Sequence, residues 1–139
     1  MEILAGTFEA KVVDYGLKET KSGTQQVVVR FRWNDEFEYN WYGSFNEGKA
    51  REITMKSLQV LGLSSNEIWN LADGPESGML DTDKLVSIKV EHEQGMDGKL
   101  YPKIKWVNEL GGGAVRVRVR VRVMVTVRVR VILKIKKES

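Results

Sequence analysis

The sequence predicts a mainly β domain of five strands, with a helix between the third and fourth, and a basic extended tail after it. Three observations carry this. Short runs with an apolar residue at every second position recur between residues 7 and 107. One stretch with helical spacing, 47–61, interrupts them after the third run. Beyond Gly111-Gly112-Gly113 the composition changes to a valine-arginine repeat. The expected organisation is a domain over residues 1–110, then a Gly-rich junction and a Val/Arg tail over 111–139.

The elements follow in order. Thr7 to Tyr15 alternates, with Phe8, Ala10 and Val12 on one face, and Gly16 is expected to end the strand or mark a bulge. Leu17 to Gly23 reads as a polar loop carrying Lys18 and Lys21. The second strand, Thr24 to Trp33, puts Val27, Val29, Phe31 and Trp33 on one face and Arg30 and Arg32 on the other. After a turn at Asn34-Asp35, the third strand, Glu36 to Tyr42, groups Phe37, Tyr39 and Trp41. Glu38 is then placed to face Arg30 or Arg32.

The helix over 47–61 carries Ala50, Ile53, Leu58 and Leu61 at helical spacing. Ser44-x-x-Glu47 reads as its capping box and Gly62 as its C-terminal stop. Ser64-x-x-Glu67 repeats the capping pattern before a second short helix ending near Asp73-Gly74-Pro75. The fourth strand, Lys84 to Glu93, aligns Val86, Ile88 and Val90. A QGMDGK turn leads into the fifth, Leu100 to Val107, where Ile104 and Trp106 share one parity and Tyr101, Lys103 and Lys105 the other.

Composition bounds the function. The 139 residues, 42% hydrophobic, suit one domain with a core. Without cysteine there is no disulfide framework and no thiolate metal site, which fits a reducing compartment. MEILAGTFEA lacks the basic and apolar regions of a signal peptide, and no apolar run is long enough for a transmembrane helix, so no membrane partner is expected. Residues 1–110 hold 13 Lys+Arg and 18 Asp+Glu, a net of −5, whereas residues 111–139 hold 9 and 1, a net of +8. The overall +3 therefore describes the tail and not the domain.

Five strands with a helix between the third and fourth is the element order of an OB-fold barrel, which binds oligonucleotides or oligosaccharides on its second and third strands and the loops joining strands one–two and four–five. An open β-sandwich covered by a helix is the alternative. The runs GTFEAKVVDYGLKETKSGTQQVVVRF, WYGSF, LQVLGL and VSIKVEHEQGMDGKLYPKIKWVNEL together resemble small phage or prophage proteins of the single-stranded-DNA-binding type, over about residues 4–110. The resemblance implies non-sequence-specific binding of single-stranded DNA in replication or recombination, within the bacterial cytoplasm. It also implies replication or recombination proteins as partners. Such proteins often end in a Gly-rich linker and an acidic partner-recruiting tip. This chain keeps the glycines and departs into a basic tail.

Single-strand binding needs cations along the backbone path and aromatic faces for bases. The candidate cations are Lys11, Lys18, Lys21, Arg30, Arg32, Lys99, Lys103 and Lys105. The candidate platforms are Trp33, Trp41, Tyr42 and Tyr101. Strand parity favours Tyr42 and Tyr101, since Trp33 and Trp41 fall with the apolar residues. No enzyme chemistry is expected. His92 is the lone histidine and shares the parity of Val90 and Ile88, and Asp81-Thr82-Asp83 reads more simply as a capping loop than as a cation site. No phosphate loop or zinc set occurs, and no cofactor is expected.

In the tail every odd position from Val115 to Val131 is valine, and six of the alternating positions are arginine. A single strand of that length would reach about 50–60 Å, beyond ordinary strands. Three readings stand: a polycation that holds nucleic acid, an amphipathic strand that assembles into homo-oligomers, or an out-of-frame product of a GC-rich Ala-Gly coding repeat. A carbohydrate-binding barrel would use the same aromatics as the DNA-binding reading but with little salt dependence.

Overall fold

The computed structural model describes residues 2–110. The readings of the Val/Arg tail lie outside the described residues. Five strands run in the order β1 (Gly6–Glu19), β2 (Gln25–Trp33), β3 (Phe37–Ser44), β4 (Val86–Gln94) and β5 (Leu100–Glu109). Helix α1 (Lys49–Val60) and a 3-10 segment (Ile68–Ser77) lie between β3 and β4. The strands form one antiparallel sheet in the spatial order β3-β2-β1-β4-β5. Among the described residues no helix is long and apolar enough to cross a membrane.

β1 serves two partners. Gly6 to Ala10 pair with Val90 to Val86 of β4, and Lys11 to Glu19 pair with Arg32 to Gln25 of β2. The change of partner coincides with a register shift between Val12 and Asp14. One extra residue, Val13, bends the strand and reverses its parity. Ala10 and Val12 are buried before the shift and Tyr15 after it. The strand then continues through Gly16 to Glu19, so the expected break at Gly16 is corrected and Lys18 is a strand residue. The loop shrinks to a turn held by Gly23 N–H donating to the Thr20 carbonyl at 2.9 Å.

Alternation sets the rest of the sheet. Val27, Val29, Phe31, Trp33 and Trp41 are buried, while Arg30, Arg32, Glu38 and Tyr42 stay on the outside. Asn34 and Asp35 both take positive φ, 55° and 56°, which these residue types tolerate and which suits a tight hairpin. On β5 the simple alternation fails. Ile104 and Val107 are buried, three positions apart, and Trp106 is 47% exposed instead of sharing the Ile104 face.

Helix α1 starts later than expected. Gly48 is its N-cap, with no side-chain cap bond, and the Ser44 hydroxyl instead accepts from the Asn46 N–H at 3.1 Å. The helix ends as expected at Gly62. Gly62 N–H donates to the Gln59 carbonyl and Leu63 N–H to the Leu58 carbonyl, each at 3.0 Å, closing a Schellman motif. The second expected helix is a 3-10 segment divided by non-helical backbone at Gly74. Its capping box does not form, since Glu67 N–H donates to Ser65 Oγ.

Two close contacts fasten these elements to the sheet. At Gly43 an added Cβ would lie 2.7 Å from the Trp41 ring and 2.8 Å from Thr54 Cγ2, so only hydrogen lets α1 approach β3. Thr54 Oγ1 then donates to the Ser44 carbonyl at 2.7 Å. On the other side, Tyr15 is buried and its hydroxyl accepts from the Leu80 N–H at 3.1 Å and lies 3.3 Å from Ser77 Oγ. Leu58, Leu61, Leu71, Met79 and Leu80 thereby close over the apolar face of the sheet. Fully burying a side chain of this size contributes roughly 1.5–3 kcal/mol.

The sheet is not closed into a barrel. β3 and β5 are its two edges. Side chains from both edges line shared cavities, so the edges face each other without pairing. Pro102 on β5 has no N–H to offer a facing strand, as expected of proline at a sheet edge.

Two substitutions test this packing. Gly43→Ala is expected to lower unfolding free energy by about 1–3 kcal/mol, the usual cost of overpacking, as a reduced denaturant midpoint with unchanged slope. Tyr15→Phe leaves the buried Leu80 N–H without its acceptor and is expected to cost about 1–3 kcal/mol in the same measurement.

Candidate nucleic-acid interface

The register of β1, β2 and β3 lays the outward-facing side chains out in rows. Lys11, Arg32 and Glu38 form one; Asp14, Arg30 and Asn40 the next. Gly16, Val28 and Tyr42 follow, then Lys18, Gln26 and Ser44. Gly16 carries no side chain and Val28 is small, so Tyr42 has open space along its row. A polar chain crosses these rows. Glu38 contacts Arg30 at 3.9 Å and Arg32 at 3.5 Å. Arg30 Nε donates to Asn40 Oδ1 at 3.1 Å, Asn40 Nδ2 donates to Tyr42 Oη at 3.4 Å, and Lys18 Nζ lies 5.7 Å from the centre of the Tyr42 ring. The cation over the ring face and the amide at its hydroxyl hold Tyr42 in one orientation. Tyr42 as a whole remains 49% exposed.

A second wall comes from β4, β5 and the turn between them. Glu93 on β4 contacts Lys105 at 2.9 Å and Lys103 at 3.6 Å. In the turn, Gly95 N–H donates to the Lys99 carbonyl at 2.7 Å and Lys99 N–H donates to Asp97 Oδ1 at 2.9 Å. The Tyr101 hydroxyl donates to the other Asp97 oxygen. A Cβ on Gly95 would sit 2.7 Å from the Tyr101 ring, so the bare glycine backbone lets that ring lie across the turn. Tyr101 is 46% exposed.

Between the two walls lies a cavity of about 320 Å³. Tyr39, Asn40 and Tyr42 line it from β3, and Tyr101, Lys103 and Ile104 from β5. Two exposed tyrosines thus flank one space that is mostly apolar, with Lys103 and Glu93 as its charged lining and Arg30 on the face beside it. The cations are held by carboxylates in a repeated pattern. Arg30 and Arg32, two apart on β2, share Glu38; Lys103 and Lys105, two apart on β5, share Glu93. Exposed pairs of this kind are worth about 0–1 kcal/mol, so a phosphate can exchange for the carboxylate at little cost.

These contacts shift the groups involved. The Lys105 hydrogen bond, with Lys103 nearby, holds the Glu93 carboxyl below the usual carboxylate value, and Glu93 in turn raises the Lys105 ammonium. The Tyr101 hydroxyl and then the Lys99 N–H hold Asp97 low, and Asp97 raises the Tyr101 phenol.

The expected site residues divide into three groups. Lys18, Arg30, Arg32, Tyr42, Tyr101, Lys103 and Lys105 surround the cavity or belong to the networks beside it. Lys11 is exposed at the end of the sheet rows, and Lys21 and Lys99 are exposed on the two turns. Trp33 and Trp41 are corrected. They are 3% and 5% exposed, and Trp33 is stacked between Phe8 and Phe37 with centroids 5.8 Å away on each side. Trp33 is enclosed by its neighbours, whereas Trp41, though nearly buried, borders the cavity between β3, β5 and α1. His92 lies at 2.8 Å from the Ile3 carbonyl through Nε2 and ties down the N-terminal segment. Asp81 Oδ1 accepts from the Asp83 N–H at 2.9 Å, a local turn contact.

Sequence parity overlooked Asn40, Asp97 and Trp106. Asn40 is recognisable only once Arg30 is known to stand beside it across the ladder. For Trp106 a signal existed: Ile104 and Val107 cannot both be core in a strict alternation. No family model matches the chain, and no curated protein matches it.

Glu93 provides the test of this charge arrangement. Its folded-state value lies below the unfolded one, so the contact stabilises the fold above the ordinary carboxylate range and is lost as pH falls through the lowered value. Lys105→Gln is expected to move the Glu93 midpoint upward in an NMR titration. An unchanged midpoint would remove the ion pair from the account.

Proposed function

We propose that this chain binds single-stranded DNA without strong sequence preference, through an OB-type domain, during phage-type replication or recombination. The domain neutralises phosphates and stacks bases, and does no chemistry on the DNA. The observation that carries the reading is the pair of half-exposed tyrosines, Tyr42 and Tyr101, at one cavity lined by Lys103 and its partner Glu93, with Arg30 on the adjoining face beside Tyr42. Each stacked base contributes about 1–3 kcal/mol and is indifferent to base identity, because every base has a π face. A duplex keeps its bases stacked inside, so the tyrosines favour a single strand.

Charge supports a local contact and not a long-range field. Residues 1–110 carry a net −5, so attraction at a distance is weak and the cations act only once phosphates reach them. Salt dependence follows from those phosphate contacts. The salt dependence also separates this reading from carbohydrate binding, which would use the same tyrosines without it.

The test must exclude the basic tail, which can hold DNA by charge alone. The buried core of the domain ends at Val107, so a chain ending at Leu110 keeps all of it. That chain is expected to bind labelled oligo-dT at low salt by fluorescence anisotropy, to bind duplex of equal length more weakly, and to release both as salt rises. The double variant Tyr42→Ala/Tyr101→Ala is expected to lose at least about tenfold in affinity for oligo-dT. Absence of binding at low salt, or unchanged affinity in a correctly folded double variant, contradicts the reading.

A further inference from the structure

Beyond the tyrosine cavity, a second cavity of about 310 Å³ opens between the ends of β3 and β5 and the first turns of α1. The two cavities share Tyr42, Lys103 and Ile104, so they adjoin where the sheet is left unpaired. Its walls include Ile53 and Thr54 of α1, the nearly buried Trp41 and Gly43 of β3, and Trp106 of β5. The charged side chains lining it are Lys103 and Lys105, both cationic. Trp106 is 47% exposed, yet the strand beneath it is fixed by buried Ile104 and Val107 on either side. A large aromatic face therefore stands on rigid backbone beside two cations, in a space that continues the first cavity.

We propose that a bound single strand of DNA leaves the Tyr42–Tyr101 cavity through the gap between β3 and β5, and that Trp106 stacks a further base there. Lys103 and Lys105 then contact the phosphates that link the two sites. The inference rests on the DNA-binding reading above and extends it, by giving the strand a direction and a third aromatic platform. Charge complementarity and continuity with the first cavity select the occupant. An acidic rim would have favoured a basic peptide, and a wholly apolar one a second copy of the chain. This cavity has a cationic rim and an aromatic wall.

The tryptophans make the proposal measurable, and the affinity comparisons use the chain ending at Leu110 so that the basic tail does not hold DNA in their place. Trp33 and Trp41 are buried, while Trp69 on the 3-10 segment and Trp106 are exposed. Oligo-dT is expected to quench intrinsic fluorescence. Trp106→Phe is expected to remove most of that quenching, and Trp69→Phe to leave it in place. Trp106→Ala is expected to weaken a long oligo-dT by about 5- to 150-fold, the range for one lost stack, and to leave a dT dinucleotide nearly unaffected.

Full quenching in Trp106→Phe while DNA is bound, or unaltered affinity of Trp106→Ala for the long oligonucleotide, overturns the proposal. So does a change of oligomeric state in Trp106→Ala by sedimentation without a change in DNA affinity, which would make the cavity a contact between copies. Tyr42→Ala tells the two levels apart. If it weakens DNA binding and Trp106→Ala does not, only the extended path fails. If neither does, the DNA-binding reading fails and takes the path with it.

Discussion

The structure depends on β1 bonding to two neighbours in succession. Its first half pairs with β4 and its second with β2, and the extra residue Val13 sits where the partner changes. A bulge at that point bends the strand and turns the sheet on itself. Two consequences follow. Tyr15 comes round to the inside, where its hydroxyl fixes the segment Ser77–Leu80 over the core. The two edge strands, remote in sheet order, come to face each other across the Tyr42–Tyr101 cavity. The site is a product of that curvature, since residues of both edges line it.

The outer face is electrostatically quiet in the free protein. Glu38 and Glu93 each satisfy two cations, and Asp97 satisfies Tyr101. These groups are exposed, with Lys105 half-buried, so water shares in their solvation and each contact is worth little. The two kinds of charge in the chain are separate. The domain, net −5, pairs Arg30, Arg32, Lys89, Lys103 and Lys105 with carboxylates, whereas the segment 111–139 carries +8 almost without acids.

Much of the domain was legible in the sequence because strand parity is a strong constraint where one face is buried. Val27, Val29, Phe31, Val86, Ile88 and Val90 follow it, and so do Arg30, Arg32 and Tyr42 on the other face. The misreadings of strand faces share one cause. Parity holds only until a residue is inserted, and β1 and β5 each slip once, at Val13 and between Ile104 and Val107. The second slip exposes Trp106. The capping boxes failed for a different reason. Ser44 remains within β3, where its carbonyl is taken by Thr54 and its hydroxyl by Asn46, so the helix starts at Lys49 without it. The candidate site was legible as a set of residues but not as a place. The hydrogen bond that orients Tyr42 comes from Asn40, and the one that orients Tyr101 goes to Asp97; both are decided by tertiary geometry.

The central claim is that single-stranded DNA contacts the face between the two sheet edges. Amide and side-chain chemical-shift mapping of the full-length chain during an oligo-dT titration tests it most directly. The account predicts the largest shifts at Asn40, Tyr42, Tyr101 and Lys103, with the Arg30 and Arg32 guanidinium signals moving as their pairing with Glu38 is replaced. Shifts confined to residues 111–139, with the domain unperturbed at saturation, would contradict it.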